Sequence, residues 1–343
     1  MRTNLAEDPK LARAHFDIGN YFLYNTKDSA SALEIHEYNV EHYTSVFESM
    51  WSQAALVWYY VRHSEQANAD VEYSKLLAIY HDQKTLPKEV FQIGDIYLEV
   101  GDSLKARSLY NQVMDEWPSS EYVFNARAGL IKADIFDGSD TTVMTDINDL
   151  ITDYKDKSEL PFTVFQFGEQ YWKMANDEFQ KTNPELLGRN SVPNEAMKNK
   201  LLQAKTVWEK IINQLPDSDT KIQAYKFAAM CLQDLDNKEQ AIAYYQTVID
   251  KWPEYQDADY CQFMIGRLYS SLCMLGIITD SERDVKTEET YKQLVDNYPN
   301  SPYAKMAQKW LKSYEKRNAP EKVTQNSEEA WDLLSKSSLD KKN

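Results

Sequence analysis

Residues 93–118 read IGDIYLEVGDSLKARSLYNQVMDEWP, and their spacing decides the fold. Small and apolar side chains recur at offsets of three, one and three residues, which places them on one helix face: Val90, Ile93, Gly94 and Tyr97. Gly101 interrupts this run, as glycine does just past a helix C-terminus. A second run with helical spacing follows and stops at a proline: Ala106, Tyr110, Val113 and Pro118. The stretch therefore predicts a helix–turn–helix unit whose helices cross at small residues.

The same pattern recurs along most of the chain, and residues 222–253 repeat it without a gap. One helix pair cannot bury its apolar face alone, so the units are expected to stack around a continuous core. Residues 302–317 form one more amphipathic stretch, which we expect to cap the array. The predicted units lie near residues 12–45, 48–83, 87–120, 121–156, 161–218, 222–255 and 259–301.

Some parts of the chain depart from the repeat. Residues 175–203 and 273–286 are predicted inserts within the fifth and seventh units, each marked by glycine or proline. Residues 318–343 are polar, and we expect this tail to be disordered, with a short docking segment at AWDLL (330–334) as the alternative. In the first unit, the pattern positions of the first helix are His15, Ile18, Gly19 and Phe22, and those of the second helix are Ser31, Ile35, Tyr38 and Tyr43.

These spacings resemble the tetratricopeptide repeat, a helix pair of about 34 residues. The resemblance covers residues 12–317 and implies an all-α, right-handed superhelical array of about seven repeats with a C-terminal capping helix. Two joints between units, at 116–130 and 297–311, both read aromatic-Pro-x-Ser-x-Tyr. They are similar to the joints of bacterial cell-envelope proteins such as the BamD type and the Tol-Pal-associated coordinator. That likeness implies the periplasm or cell envelope, after removal of a signal, with the cytoplasm as the alternative.

Composition and charge exclude several classes of function. The chain of 343 residues carries 38 Lys and Arg against 54 Asp and Glu, a net charge of −16. A field of that sign repels phosphate backbones, so nucleic-acid binding is not expected. The three cysteines, Cys231, Cys261 and Cys273, have the spacing of core helix residues and form no metal motif. No apolar run reaches the roughly 20 residues that a membrane-spanning helix needs.

Motifs for chemistry are missing from the sequence. The five histidines do not stand at the spacing of metal ligands, and no GxGxxG, GxxxxGK[ST] or GxSxG occurs. Acidic pairs such as Glu328-Glu329 lie in polar stretches, where burial does not separate their pKa values as an acid/base pair requires. We therefore expect no enzyme activity, no cofactor and no metal.

Function is expected on a surface instead. In a stacked array the first helices line the concave side, and here their outward positions are rich in aromatic residues. Such a stripe predicts a groove for a peptide or helix of another protein, unless tight winding of the array buries the rings. The predicted groove residues are Phe16, Tyr24, Tyr59, Tyr60, Phe91, Asp95, Leu98, Phe162, Phe165, Trp172, Tyr260 and Phe263.

The most direct interpretation is a non-enzymatic scaffold that organises a multiprotein assembly through this groove. Two alternatives remain open at the level of sequence. The chain could pack against copies of itself as a subunit of a filament or coat, since aromatic residues are abundant. It could equally serve as a regulatory subunit of an enzyme complex, which needs no catalytic motif in this chain.

Overall fold

The computed structural model describes residues 8–44, 46–138, 140–182 and 193–318. Within these residues the secondary structure consists of fifteen α-helices and one π-helical segment, and no strand occurs. The chain divides into two compact units, Met1–Ala224 and Tyr225–Asn343, with the division inside the helix Asp219–Asp234.

The first unit contains ten complete helices, which follow one another with short connections. They are α1 Pro9–Tyr21, α2 Ser29–His42, α3 Ser49–Arg62, α4 Gln66–Tyr80, α5 Leu86–Glu99, α6 Ser103–Glu116, α7 Val123–Asp137, α8 Asp140–Asp153, α9 Leu160–Thr182 and α10 Glu195–Gln214. The π-helical segment Phe22–Thr26 extends α1. The helix that contains the division is α11, Asp219–Asp234. The second unit continues with α12 Lys238–Lys251, α13 Ala258–Met274, α14 Asp280–Asn297 and α15 Pro302–Asn318.

Sequential helices pack as pairs in the first unit: α1 with α2, α3 with α4, α5 with α6, α7 with α8, and α9 with α10. The first helix of each pair also packs against the first helix of the next pair, from α1 through α3, α5 and α7 to α9. In the second unit α13 pairs with α14, and α15 packs against both of them. The expected all-α fold of repeated helix pairs with a capping helix is therefore confirmed.

A glycine and an aromatic ring define where the two helices of a pair meet. A Cβ atom added to Gly94 on α5 would lie 2.7 Å from Cε1 of Tyr110 on α6. The same ring also faces α7, where a Cβ on Gly129 would lie 2.6 Å from its Cζ. Only glycine fits at such a crossing, because any side chain would overlap the ring. Two further pairs repeat this contact, Gly168 with Trp208 and Gly266 with Tyr291.

The ring at the crossing of the first pair belongs to His36, a residue that the sequence pattern does not include. Gly19 faces the imidazole of His36, whose Cε1 would lie 2.6 Å from an added Cβ. His36 is buried, with Nδ1 3.1 Å from Oγ of Ser52 on α3. Asn39 Nδ2 donates to the same Ser52 Oγ at 2.6 Å. The imidazole fills the position because it is flat like a phenol ring, a property that hydrophobic spacing does not detect.

The joints between the first pairs have a common backbone geometry. An aromatic residue ends the second helix, and its carbonyl accepts from the amide of the third residue after it at 2.9–3.0 Å. These aromatic residues stand 37 residues apart, so each of the first repeats is slightly longer than the expected unit. The four bonds join Val46 to Tyr43, Gln83 to Tyr80, Ser120 to Trp117 and Lys157 to Tyr154.

Helices α9 and α10 are longer than the others, with 23 and 20 residues. They continue into the predicted insert 175–203, so that residues up to 182 and from 195 onward are helical. Residues 319–343 of the predicted tail lie outside the described residues. Among the helices that are described, none combines the length and apolarity needed to cross a membrane.

Candidate partner-binding groove

Three successive first helices of the first unit, α5, α7 and α9, surround a cavity of about 570 Å³. We refer to it as the α5–α7–α9 cavity. Helices that pack side by side are about 9 Å apart, so three of them extend over roughly 20 Å, enough for a short extended peptide. The lining side chains are Asp95, Leu98, Glu99, Lys132, Phe136, Gln170, Lys173, Met174 and Asp177.

Helical spacing explains why these side chains converge. Residues three or four apart lie above one another on a helix surface. On α7, Lys132 and Phe136 are four residues apart, and on α5, Asp95 and Leu98 are three apart. On α9 the lining residues stand at offsets of three, one and three: Gln170, Lys173, Met174 and Asp177. Each helix therefore contributes one face.

Asp95 connects the cavity to the interior of the repeat. The Tyr110 hydroxyl, on the ring that Gly94 and Gly129 enclose, donates to Asp95 Oδ1 at 2.7 Å. Burial raises the pKa of the Asp95 carboxyl, while the Tyr110 hydrogen bond and the Lys132 charge lower it in part. Burial likewise raises the pKa of Tyr110, and the charge of Asp95 adds to that shift. The core ring thus holds the carboxyl that faces the cavity.

Two contacts join the helices around the cavity. Gln170 Nε2 on α9 donates to the backbone carbonyl of Lys132 on α7 at 3.0 Å. At the rim, Arg62 of α3 forms a salt bridge of 2.9 Å with Glu99 of α5. The Gln170 contact ties α7 to α9, and all lining residues lie on helices, so the cavity belongs to the helical array and not to a loop.

The chemistry of the lining suits recognition. Leu98, Phe136 and Met174 provide apolar surface, and Phe136 is 48% exposed although it is aromatic. Lys132 and Lys173 provide positive charge, and Asp177 provides negative charge. Pockets that bind a ligand or peptide combine apolar walls with a few polar groups in this way. Among the described residues, no group of three His, Cys, Asp or Glu side chains could hold a metal ion.

The structure brings two of the predicted groove residues together in this cavity, Asp95 and Leu98. Phe91 lies one turn before Asp95 on α5 and is half-buried, with its ring 5.8 Å from that of Tyr110. Trp172 is half-buried on α9 but does not line the cavity. Phe162, at the start of the same helix, is 56% exposed.

The predicted residues of α1, the π-helical segment and α3 do not line this cavity. Phe16 is half-buried, with its ring 5.6 Å from that of Trp51, and the Arg13 guanidinium lies 4.7 Å from the Trp51 ring. Tyr59 and Tyr60 meet edge to face at 5.4 Å. Tyr24, in the π-helical segment, is 58% exposed. These rings are accessible, but they do not reach the α5–α7–α9 cavity.

Two predicted groove residues are packing residues instead. Phe165 is 2% exposed, because its ring lies 5.7 Å from that of Trp208 on α10. Phe263, in the second unit, is 8% exposed, because Tyr291 and Tyr303 stack against it at 5.8 and 5.2 Å. Tyr260 beside it is half-buried, 5.6 Å from Tyr303. The second helices and the cap thus cover Phe165 and Phe263, whereas Tyr260 remains partly accessible.

Sequence reasoning missed the cavity residues of α7 and α9. The pattern of the fourth repeat is weak, and its outward positions were not assigned to the groove. One signal was present: Lys132 and Phe136 follow Gly129 at offsets of three and seven, which places them on one helix face with it. On α9, the groove prediction includes only aromatic residues, whereas Gln170, Lys173 and Met174 line the cavity.

Comparison with protein families gives one match. The sequence model of the family described as "YfiO: Outer membrane lipoprotein" matches residues 190–324. That range is less than half of the chain, and its described part runs from the start of α10 to the end of α15. No curated protein matches the chain.

Solved structures similar to this chain are tetratricopeptide repeat proteins. The C-terminal part of such a protein from Cytophaga hutchinsonii is 13% identical, with a TM-score of 0.47, and the alignment covers 88% of this chain and 99% of that one. A tetratricopeptide repeat protein from Parabacteroides merdae is 12% identical, with a TM-score of 0.40 and coverage of 89% and 99%. The TPR2AB domain of yeast Sti1, in a pHSP90 complex, is 13% identical, with a TM-score of 0.28 and coverage of 90% and 100%.

The expected resemblance to BamD-type repeat proteins is confirmed for residues 190–324, where the family model matches. The repeated helix pairs and the family match support a role as a protein–protein interaction adaptor.

Proposed function

We propose that this chain is a non-enzymatic adaptor that holds a segment of another protein in the α5–α7–α9 cavity. The observation that carries the proposal is the cavity itself, which three successive first helices build from apolar walls and charges of both signs. A partner segment would bury Leu98, Phe136 and Met174, and would pair its own charges with Lys173 and Asp177. No catalytic step is needed for that role.

The test places a photo-crosslinking amino acid at Phe136, which is 48% exposed inside the cavity. The matched control carries the same amino acid at Leu104 on α6, which is 79% exposed and lies outside the cavity. We expect illumination in cells to produce a discrete adduct from position 136 and none from position 104. Mass spectrometry of the adduct then identifies the partner.

A second variant separates recognition from random contact. Lys173→Glu reverses a charge of the cavity lining, so it should weaken the adduct from position 136. Lys155→Glu reverses an exposed charge outside the cavity and should leave the adduct unchanged. Equal adducts from positions 136 and 104, or equal effects of the two reversals, would contradict the proposal.

We further propose that the assembly belongs to the bacterial cell envelope. The support is the match of residues 190–324 with a family described as an outer membrane lipoprotein. Fractionation of cells that express the full-length protein tests this location. Recovery with the envelope or periplasmic fraction is expected, and recovery with the cytoplasmic fraction alone would contradict it, whatever the crosslinking shows.

A further inference from the structure

The capping helix α15 begins like the first helix of a further pair. The amide of Ser301 donates to the carbonyl of Tyr298 at 3.0 Å, which is the joint geometry found before α5, α7, α9 and α13. Each of those four helices packs against the helix that follows it in the chain. For α15 the described residues end with the helix itself, at Asn318. The side of α15 that corresponds to the packed side of the other helices is therefore a candidate binding surface.

The spacing from the aromatic joint residue identifies this side of α15. The fourteenth residue after the joint is Gly94 on α5, Gly168 on α9 and Gly266 on α13. Each of these glycines faces a ring of the second helix of its own pair. On α15 the same position, fourteen residues after Tyr298, is Lys312. Lys312 thus marks the side on which a second helix would pack.

This side of α15 carries four lysines, which we refer to as the lysine row. On α7 the same positions after the joint hold buried apolar residues, whereas on α15 all four lysines are exposed. At about 100° per residue, the lysines fall within about 60° of the helix circumference and extend over about 16 Å. The corresponding residues are Phe124 and Lys305, Ala128 and Lys309, Ile131 and Lys312, and Ile135 and Lys316.

The elements that pack against α15 do not neutralise the lysine row. Helices α13 and α14 pack on the opposite side, which contains the buried Ala304 and Ala307. Glu315, the single acidic residue of α15, lies about 90° around the helix from the row. The hydrogen bond to Glu288 raises the pKa of Lys292 on α14, and the charge of Glu315 raises it further, so Glu315 acts toward α14. Among the described residues, no acidic side chain lies within ion-pair distance of the row.

The chain that follows α15 contains a segment of matching charge. Residues 319–343 follow the helix, and their part 323–335 contains no basic residue. Ten residues lead from Asn318 to the first acid of this part, and they reach up to about 33 Å, twice the length of the row. The segment can therefore reach every lysine of the row. Its acidic residues are Glu328, Glu329 and Asp332.

The spacing of the repeat also places this segment opposite the row. In the third pair Tyr110, whose ring faces Gly94, follows that glycine by 16 residues. The residue that follows Lys312 by 16 is Glu328. A lysine is much longer than the glycine it replaces, so it holds the facing segment farther from the helix axis. The contact at this position is therefore an ion pair between long side chains and not a close helix crossing.

We infer that the lysine row of α15 binds the acidic segment 328–332 of the same chain, and that this contact covers the end of the second unit. The three acids pair with the lysines, and the Trp331 ring lies on the lysine stems and ammonium groups. A short connection gives the segment an effective concentration on the order of millimolar, which favours it over a second copy of the chain or an acidic partner. Because such pairs are weak singly and screened by salt, the contact is reversible.

Photo-crosslinking within the full-length protein tests the inference. A photo-crosslinking amino acid at Ala330 leaves Trp331 and the three acids in place. Illumination should join the segment to α15 of the same chain, and mass spectrometry should locate the adduct within residues 302–318. An adduct between two chains would assign the row to a second copy and overturn the inference. An adduct elsewhere in the chain, or none, would overturn it as well.

Exchange of charges identifies the groups that hold the segment. Lys309→Glu with Lys312→Glu replaces attraction by repulsion and should lower the yield of the adduct about tenfold. Glu328→Lys with Glu329→Lys should have the same effect for the same reason. The variant that combines all four changes restores opposite charges and should recover most of the parent's yield. Failure of that recovery would overturn the inference.

A control variant keeps the result independent of net charge and of folding. Lys155 and Lys251 are exposed on other elements, and Lys155→Glu with Lys251→Glu changes the net charge as much as the reversal in the row. This control should give the parent's yield, and circular dichroism should show equal helicity for all variants, since every changed lysine is exposed. Equal losses in the control and in the row variant would overturn the inference.

Discussion

The first and third helix pairs of the first unit use one packing rule with two different rings. In both pairs a glycine of the first helix, Gly19 or Gly94, faces a flat ring from the second helix. The ring of the third pair is Tyr110, whose hydroxyl reaches Asp95 at the cavity. The ring of the first pair is His36, which stays inside and contacts Ser52. A flat ring is thus what lets the two helices cross closely. The polar group of the ring determines which neighbour it contacts, Asp95 at the cavity or Ser52 in the interior.

The two rings also differ in how firmly they are held. Tyr110 lies between glycines of two helices, Gly94 on α5 and Gly129 on α7, so it cannot move away from either. His36 meets a glycine on one side only. The comparison predicts that a methyl group added at the glycine lowers the free energy of unfolding more in the third pair. It also predicts that acidification lowers this free energy more in the first pair.

The largest expected effect follows from added bulk at Gly94. In Gly94→Ala, the new methyl would lie 2.7 Å from Tyr110 Cε1, and Gly129 prevents the ring from retreating. Overpacking of this kind costs on the order of 3 kcal/mol of unfolding free energy. Urea unfolding monitored by circular dichroism measures it. Ser108→Ala, on the exposed side of α6, is the control and should change stability by less than about 0.5 kcal/mol.

Gly19→Ala extends that prediction to the first pair. The added methyl would lie 2.6 Å from His36, but the ring has glycine on one side only, so it can shift. We expect a smaller loss than for Gly94→Ala. If Gly19→Ala proves the more damaging change, the double enclosure of Tyr110 is not what makes the third crossing rigid.

The next effect is acid destabilisation through His36. Burial lowers the pKa of His36 from 6.5 to about 4. Above pH 6.5 the ring is neutral in both the folded and the unfolded chain, and the full stability is present. As pH falls toward 4, the unfolded chain gains a proton that the folded chain does not bind, so about 3 kcal/mol of stability is lost.

The measurement is the unfolding free energy of parent and His36→Phe across this pH range. The difference between them should change by about 3 kcal/mol between pH 6.5 and 4. The difference in unfolding free energy between the parent and Tyr110→Phe should not change by this amount over the same pH range, since that variant leaves His36 in place. A constant difference between parent and His36→Phe would mean that the imidazole is not buried as a neutral ring.

The sequence predicts well which small and aromatic residues lie where paired helices cross. It predicts less well the polar side chains at these points and the contacts from other helices. The offsets around Gly94 identify Tyr97, Ala106 and Tyr110, because small and aromatic residues leave a periodic pattern. His36 leaves no such pattern, since spacing analysis counts an imidazole as polar. Helical spacing places Phe165 and Phe263 on the outward face of their own helices, but α10, α14 and α15 cover them, and a single-helix template does not contain those contacts.

A smaller effect is expected from the polar end of Tyr110. Tyr110→Phe keeps the ring between the two glycines and removes the hydroxyl that donates to Asp95 at 2.7 Å. Loss of one donor to a largely buried carboxylate costs about 1.5 kcal/mol at neutral pH. That hydrogen bond lowers the pKa of Asp95, so the variant raises it further above the ordinary value. The loss should therefore shrink at acidic pH, where Asp95 becomes protonated; a loss that grows there would contradict the assignment.

The smallest effects on stability concern exposed charge pairs, and they separate folding from binding. Arg62→Gln breaks the pair with Glu99 at the rim of the cavity, and Asp17→Asn breaks the pair with Arg13 on α1. Exposed pairs are worth about 0.5 kcal/mol, so both variants should unfold almost like the parent. Only Arg62→Gln leaves an unpaired carboxylate at the α5–α7–α9 cavity, and it alone should alter the crosslink from Phe136. An equal change of the crosslink in both variants would show that partner binding depends on the overall charge of the first unit and not on the cavity.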